Sequence, residues 1–491
     1  MGVLNWTLFW PEASKKKILF HIYRHSIIIL LTFLSIYLFP SMVTFYFLFL
    51  SGIEYSRNAR YHNIFVLYAT FTFAVWFTGN LFLPDISSSS VTSPKIIVTD
   101  LLRSIIHFSA IVFDRLTVKR FGISSFIATI SFPILLAGSS QILCSMDHLG
   151  LGTHISAFCS DYPELTFIPL RLLGPSGLVM LVAFIASYTS QWRHTRVVPR
   201  YMSTLLFRVL AIIVFAVYSY QYFSPKTSKF VNVSFIYDNS KVNENVFNKT
   251  ANLFIFVNPF NHTFFTNTEN EQNNHEFSNI DEFTNFLIEK SQKNNQIFTF
   301  SHFDDENNQF LNVISENGEL RSRQIPKMSK KIIPARLFLK DMLTIESEFG
   351  RLGFIVGREM FQQDYLTSKD VDLLVTYGGN EYDEKLRLPL RTAKLVSQMI
   401  ATTRIHGSSY FVSYGVNSNG KFIFSSQTEI EEVIKLKVSK NTTVFNNIRF
   451  LLIENLILFL FFFMIFINLV PMRYVSNMSL SMRKIIEKVR N

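Results

Sequence analysis

The chain has 491 residues, of which 48% are hydrophobic and 52 are Phe, and its formal net charge is +11. It is too apolar for one soluble domain and in places too charged for a pure helical bundle, so the hydrophobicity must be segmental. Its basic residues lie in short stretches between apolar segments, which argues against nucleic acid as a partner and for a membrane topology. Only two cysteines are present, which excludes a disulfide scaffold and a four-thiolate metal site. We expect no metal and no cofactor.

Apolar segments of roughly 20 residues, long enough to cross about 30 Å of hydrocarbon, predict membrane helices. The clearest of these segments lie near 63–83, 123–143, 171–190, 204–223 and 450–470. The region 18–52 is broken by Pro40 and predicts two helices, and the more polar segment 96–113 predicts another. The sequence therefore predicts a polytopic α-helical membrane bundle, with seven helices in 1–223 and an eighth at 450–470.

The distribution of Lys and Arg tests this count, because short cytosolic loops collect basic residues. With the N-terminus in the cytosol, the cytosolic segments hold 18 Lys and Arg residues, whereas the two short opposite loops, 84–96 and 144–170, hold Lys95 alone. The topology places both termini in the cytosol, with a basic tail at 471–491, and residues 224–449 on the far side. We expect an endomembrane of the ER type or the plasma membrane.

Two features of the non-cytosolic segments are candidates for covalent modification. Asn-X-Ser/Thr sequons begin at Asn232, Asn248, Asn261 and Asn441. They indicate glycosylation if the source is a eukaryote, and chance occurrence in an Asn-rich segment is the alternative. Cys144 and Cys159 fall in one loop, where they either form a disulfide or remain two thiols.

The segment 224–449 alternates patterns typical of strands and helices. Strands are predicted at Lys229 to Tyr237, Asn252 to Asn258, Gln296 to His302, Phe310 to Ser315, Leu352 to Val356, Val371 to Tyr377, Ser409 to Tyr414 and Lys421 to Ser425. Helices are predicted at Ile280 to Gln292, after Phe361, and from Leu388 to Thr403. This rhythm predicts a layered α/β domain.

One local pattern is an apolar strand, 352–356, followed by Gly357, Arg358 and Glu359. Together with the order of elements, it resembles the carbon-nitrogen hydrolase (nitrilase) superfamily, and the whole chain is similar to the membrane apolipoprotein N-acyltransferase group. The resemblance implies an αββα sandwich. It also implies acyl transfer from a phospholipid through a Cys thiolate, with a Glu base and a Lys that stabilises the oxyanion.

The residues at the family's catalytic positions depart from that pattern. Gly357 stands where the nucleophile is expected, and Phe260 stands where the base is expected. Lys327 or Lys330 matches the family's lysine, and a solvated strand edge is the alternative interpretation of these lysines. The resemblance thus implies a catalytically inactive member of the family that binds a membrane lipid, such as a phospholipid, or a lipidated protein.

Two other functions stay open. The first is an active phospholipid-dependent N-acyltransferase or amidase with rearranged groups, for example water activated by Glu359 beside Arg358. The second, ranked lower, is a transporter, because nothing in the sequence suggests inverted repeats. The oligomeric state is left open.

Overall fold

A computed structural model describes residues 15–39, 41–58, 66–70, 94–123, 125–146, 154–159, 163–195, 228–237, 247, 250–260, 279–325, 342–361, 371–377, 388–400, 402–408, 412–426, 433–439 and 450–470. These residues form two compact units. The helical unit comprises Met1–Leu143, Leu173–Ile213 and Leu451–Asn491, and the α/β unit comprises Cys144–Leu172 and Val214–Phe450. The α/β unit thus includes a segment, 144–172, that the sequence assigned to a loop of the membrane region.

Besides a helical segment at 66–70, nine α-helices lie within the described ranges. They are α1 Lys15–Phe33, α2 Met42–Asn58, α3 Pro94–Phe121, α4 Phe126–Met146, α5 Ile155–Cys159, α6 Pro163–Thr195, α7 Ile280–Asn294, α8 Leu388–Ile400 and α9 Phe450–Leu469. The predicted division of 18–52 is confirmed, because α1 with its π-helical extension Leu34–Leu38 ends before Pro40 and α2 begins after it. The predicted helix 204–223 and most of 63–83 lie outside the described residues.

Length and apolar composition identify two membrane-crossing candidates among the described helices, Phe126–Cys144 and Pro169–Arg193. Ile453–Leu469 is a shorter apolar helix. The seven-plus-one count therefore remains a prediction.

The helix α6 is broken at Gly174, whose φ of 70° and ψ of −169° are not helical. This region of backbone space is open almost only to glycine, and another residue there costs about 1–3 kcal/mol. Before this break, Arg171 donates hydrogen bonds to the Ser418 carbonyl and to Asn419 Oδ1, at 3.0 and 2.7 Å. The part of α6 that precedes Gly174 therefore contacts the rest of the α/β unit. The break falls where the chain passes into the helical unit.

We expect Gly174→Ala to lower the free energy of unfolding by about 1–3 kcal/mol, because alanine is strained at this backbone conformation. Titration of the purified protein with a denaturing detergent measures the change. Ile185→Ala, at an exposed position of the same helix, is the control with a small expected effect. A Gly174→Ala midpoint equal to that of the control would contradict the assignment of strain.

A buried ion pair joins four helices of the helical unit. Arg57, near the end of α2, donates to both carboxylate oxygens of Asp114 on α3, at 2.9 and 3.0 Å. It also donates to the Ala128 carbonyl on α4 and to Ser187 Oγ on α6, both at 2.9 Å, and Ser131 donates to Asp114 at 2.8 Å. Both charged side chains are almost fully buried. Arg57 is thus a structural residue as well as one of the charges that predict topology.

The α/β unit contains two six-stranded sheets in the described residues. The strands are β1 Ser228–Ile236, β2 Leu253–Phe256, β3 Ile297–Phe303, β4 Gln309–Ile314, β5 Leu320–Gln324, β6 Leu343–Ser347, β7 Gly350–Val356, β8 Leu373–Tyr377, β9 Thr403–Gly407, β10 Ser413–Val416, β11 Phe422–Ser426 and β12 Ile434–Ser439. The orders are β12-β1-β2-β3-β4-β5 and β11-β10-β9-β8-β7-β6. Each sheet has three parallel central strands, β1-β2-β3 or β7-β8-β9, flanked by antiparallel ones. The two sheets therefore repeat one pairing pattern.

The sheets pack face to face, because alternate strand residues point into a shared apolar core. Val231, Val233 and Ile255 of the first sheet meet Phe354 and Val375 of the second in this core. The intervening residues of the first sheet, such as Phe254 and Phe256, pack beneath α7, and α8 covers the outer face of the second. The layers are α, β, β and α, which is the arrangement that the resemblance implied.

Both ends of the helix α7 have residues that favour a helix boundary. Asn279 is the N-cap and accepts a hydrogen bond from the Glu282 N–H at 2.8 Å, and Asn295 ends the helix in the left-handed conformation. In contrast, the helix predicted to reach Thr403 ends at Ile400. Arg404 lies in β9 instead, where Thr403 and Ile405 have the β-branched side chains that favour a strand.

Candidate functional site

Gly357 directly follows β7 and begins a short 3₁₀ turn, Gly357–Phe361. Its φ is +60°, in the left-handed region where a residue with a side chain costs about 1–2 kcal/mol. The position aligned with the family's nucleophile thus suits glycine and supplies no reactive atom.

Phe260 does not face the space between the sheets. Its N–H donates to the Ser301 carbonyl and its own carbonyl accepts from Phe303, so the backbone runs beside the end of β3. Its ring lies 4.8 Å from that of Phe283 and 5.6 Å from that of Phe256, in the buried cluster beneath α7. The side chain of Phe260 therefore belongs to the outer core of the first sheet.

The remaining positions from the resemblance are only partly described. Lys327 and Lys330 lie outside the described residues, and of Arg358 only the backbone is described. The structure therefore does not bring the three positions of the family's triad together among the residues it describes.

Glu359 makes a bidentate ion pair with Arg323, a residue of β5. Arg323 Nη1 donates to Oε1 at 2.7 Å and Nη2 donates to Oε2 at 2.6 Å, and the Val356 N–H approaches Oε2 at 3.4 Å. Both side chains are at least nine-tenths buried. The interpretation of Glu359 as a base that activates water beside Arg358 stays a prediction, and the partner of both carboxylate oxygens in the structure is Arg323.

Tyr377 ends β8 and reaches across to the other sheet. Its hydroxyl lies 2.9 Å from Thr299 Oγ1 on β3. Burial raises the pKa of Tyr377 above its ordinary value of 10.0, and the hydrogen bond to Thr299 and the charge of Arg323 offset part of this. The phenol therefore stays neutral and serves as a hydrogen-bonding group.

These four residues, Arg323, Glu359, Tyr377 and Thr299, form what we call the inter-sheet polar cluster. Each of its two contacts joins one sheet to the other, at 2.6–2.7 Å for the ion pair and 2.9 Å for the hydroxyls. None of the four combines a thiol or hydroxyl nucleophile with an adjacent base, which covalent acyl transfer requires. Their arrangement is that of a buried structural contact between the two sheets.

Sequence reasoning named Glu359 but missed its partners. Arg323 is the one buried residue of a strand whose other side chains are exposed, and Tyr377 is a polar aromatic residue at the end of an apolar strand. The position of Tyr377 is a usable signal. Nothing local in the sequence distinguishes Arg323 from Arg321.

The other predicted residues are not part of the cluster. His406 is buried in β9, where Nδ1 lies 2.9 Å from Thr376 Oγ1 and the ring stacks on Tyr414. Cys144 and Cys159 are buried near the ends of two different helices, and of the two alternatives that the sequence left open the structure has two thiols.

Among the four sequons, only Asn232 lies in the described residues. It is a residue of β1, and its side-chain amide donates to the Thr250 carbonyl at 3.1 Å. Asn248, Asn261 and Asn441 lie outside the described ranges, so glycosylation at all four positions stays a prediction.

His302, on β3 beside Phe260, predicts a pH dependence of stability. Burial lowers the pKa of His302 below the ordinary value of 6.5, and the charges of Asp304 and Asp281 offset part of this. Its Nδ1 lies 2.7 Å from the buried Asn312 amide, which fits a neutral ring. The unfolded chain takes up this proton near pH 6.5 and the folded chain only at lower pH, so stability falls as the pH falls below 6.5.

We expect His302→Gln to remove part of the loss of unfolding free energy between about pH 7 and about pH 5. Denaturant titrations of the wild type and the variant at both pH values measure this difference. Identical pH dependences of the two proteins would show that His302 does not contribute.

The matches of this chain to known proteins are solved structures of low similarity. No family model and no curated protein matches the chain. Solved structures similar to it include Nit3 of Saccharomyces cerevisiae, a member of branch 10 of the nitrilase superfamily, at 14% identity and a TM-score of 0.32, over 44% of this chain and 91% of that one. An amidase from Nesterenkonia sp. is 13% identical over 46% of this chain and 96% of that one, with a TM-score of 0.31.

A third similar structure is XC1258 of Xanthomonas campestris, a CN-hydrolase superfamily protein. It is 12% identical over 44% of this chain and 91% of that one, with a TM-score of 0.31. The structural neighbours are thus nitrilase superfamily members at low identity and partial coverage. Nothing about activity follows from a likeness at this distance.

Proposed function

We propose that this chain is a membrane protein whose nitrilase-like α/β unit binds a phospholipid or a lipidated protein and does not carry out covalent acyl transfer. The observation that carries the proposal is the closed Arg323–Glu359 pair beside Gly357. The strand end that the resemblance assigns to the nucleophile has a glycine, and both oxygens of the adjacent carboxylate accept hydrogen bonds from a buried arginine.

Hydrogen bonds at one end of the helical unit support the membrane part of this proposal. The hydrogen bonds of the buried Arg57 side chain join the C-terminal parts of α2, α3 and α6 to the N-terminal part of α4. If successive helices cross the membrane in alternating directions, these four helix ends lie on the same side of it. The distribution of Lys and Arg assigns that side to the cytosol.

A second polar contact agrees with the same threading. Ser176 Oγ lies 2.9 Å from both Gln141 Oε1 and Glu454 Oε2. These residues lie near the end of α4, after the break in α6 and near the start of α9, all of which the predicted topology assigns to the non-cytosolic side. The two clusters therefore lie toward opposite ends of α4, as this threading predicts.

The exposed face of α9 also favours a lipid environment. Phe459, Phe462 and Phe466 are each more than half exposed, and Leu456 and Leu469 extend the same apolar surface. Exposed apolar surface of this extent is costly in water and is normal against acyl chains. The simplest explanation is that the hydrocarbon of the bilayer covers this apolar surface.

Mass spectrometry of the intact protein, released from detergent under native conditions, tests the binding function. We expect phospholipid to remain as a noncovalent complex that dissociates when the protein is denatured. A protein that is extracted from membranes by alkaline carbonate would contradict the membrane assignment. An integral protein that retains no lipid and no lipidated partner would contradict the binding function.

A further inference from the structure

We propose that Arg24 and Arg193 bind the headgroup of an anionic phospholipid at the predicted cytosolic end of the helical unit. The proposal rests on the membrane part of the proposed function. It concerns a site on the helices and is independent of the α/β unit.

The two arginines converge on one carboxylate. Arg193 Nη1 on α6 lies 3.1 Å from Glu54 Oε1 on α2, and Arg24 Nη1 on α1 lies 3.8 Å from Glu54 Oε2. The arginine side chains are 57% and 33% exposed, whereas that of Glu54 is 12% exposed. The two arginines are partly exposed and the carboxylate between them is largely covered, so these three side chains together carry a net positive charge at the surface. This charge complements a lipid headgroup that has a phosphate diester and an additional charge.

A directed chain of hydrogen bonds fixes the helices beneath this group. Thr70 Oγ1 donates its single proton to the Val66 carbonyl at 2.8 Å, so it must accept from His25 Nδ1, also at 2.8 Å. His25 Nε2 then accepts from the Tyr55 hydroxyl at 3.1 Å, and that oxygen accepts from His21 Nδ1 at 3.1 Å.

These hydrogen bonds connect α1 to α2, and they assign the ring proton to Nδ1 in both His21 and His25. Arg24 lies between His21 and His25 on α1, and Glu54 precedes Tyr55 on α2. The positions of the charged residues are therefore set by rigid helices, which lowers the entropy cost of holding a ligand.

The surroundings of the two arginines favour a lipid over a soluble phosphate. Tyr23 and Trp192, the sequence neighbours of Arg24 and Arg193, are 63% and 56% exposed, and Leu19 and Ile22 are exposed on α1. Tyr and Trp are enriched at membrane interfaces, where one part of the ring is in contact with hydrocarbon. Cations beside exposed aromatic and aliphatic side chains match the headgroup and the acyl chains of one molecule.

The test uses the full chain in nanodiscs of mixed phosphatidylserine and phosphatidylcholine. Native mass spectrometry measures the ratio of the two lipids retained by the protein. We expect phosphatidylserine to be retained above its share of the bilayer, and each arginine to contribute about fivefold to the preference. The double variant Arg24→Gln, Arg193→Gln is expected to lose the preference. Arg351→Gln, which removes an exposed arginine paired with Glu346 in the α/β unit, is the matched control and is expected to retain it.

Each of the following results would overturn a different part of the proposal. No preference for phosphatidylserine in the wild type, or an unchanged preference in the double variant, would overturn the headgroup site while leaving an integral membrane protein. Loss of the bound phosphatidylserine to free inorganic phosphate would overturn the assignment to a lipid. Failure of the chain to insert into nanodiscs would overturn the membrane part of the proposed function instead.

Discussion

Replacing Arg57 with methionine is expected to lower the free energy of unfolding of the helical unit by about 3–5 kcal/mol, because Asp114 is left buried without its cation. Arg57 also bonds to Ala128 and Ser187, so the change releases contacts to α4 and α6 as well as to α3. Titration with a denaturing detergent, followed by circular dichroism, measures the loss.

Two further variants separate the buried charge from the loss of one side chain. Arg193→Met removes an exposed arginine with a similar ion pair, and it is expected to cost at most about 1 kcal/mol. The double change Arg57→Met, Asp114→Leu replaces both charges by apolar groups and is expected to recover most of the stability. A double variant as unstable as the single one would contradict this account of the pair.

Replacing Glu359 with glutamine is expected to cost the α/β unit about 3–5 kcal/mol, because the buried Arg323 guanidinium loses its counter-ion. Hydrogen-deuterium exchange of β5 and β7, together with denaturant unfolding of the full chain, measures the effect. The exchange is expected to rise in both strands, since the pair joins the two sheets.

The matched control for this change is Glu346→Gln. Glu346 pairs with Arg351 at 2.6 Å, but the two side chains are 70% and 44% exposed, so the expected cost is at most about 1 kcal/mol. Equal effects of Glu359→Gln and Glu346→Gln would contradict a structural role for the buried pair. Lipid retention that is lost in Glu359→Gln at unchanged stability would instead assign Glu359 a direct role in binding.

Strand and helix periodicity predicted most of the α/β unit, because its central strands are apolar runs bounded by turns. The strand β5 was missed because its polar side chains lie on both faces of the strand. In β6, Leu343 and Ile345 alternate with Thr344 and Glu346, a pattern that was overlooked. The strand β12 carries a signal that was overlooked. Its Ile434, Leu436 and Val438 alternate with Lys435 and Lys437, which is the pattern of a half-buried strand.

The candidate site was less predictable than the fold. The sequence identified Gly357 and Glu359 from a local pattern, but the partner of Glu359 is Arg323, 36 residues earlier on another sheet. Phe260 follows β2 and its ring lies in the outer core of the first sheet. The alternation of the strand does not predict that face, because it does not continue through Asn258 and Pro259. Pairings between sheets depend on topology, which local residue patterns do not specify.

We propose that the α/β unit binds a phospholipid or a lipidated protein without forming a covalent acyl intermediate. The most direct test incubates the purified full chain with phospholipid carrying a labelled acyl chain, denatures the protein and measures its intact mass. We predict the unmodified mass for the wild type and for Gly357→Cys, since Phe260 supplies no base at the aligned position and Glu359 is held by Arg323. A stoichiometric acyl adduct on the denatured wild-type chain would contradict the account.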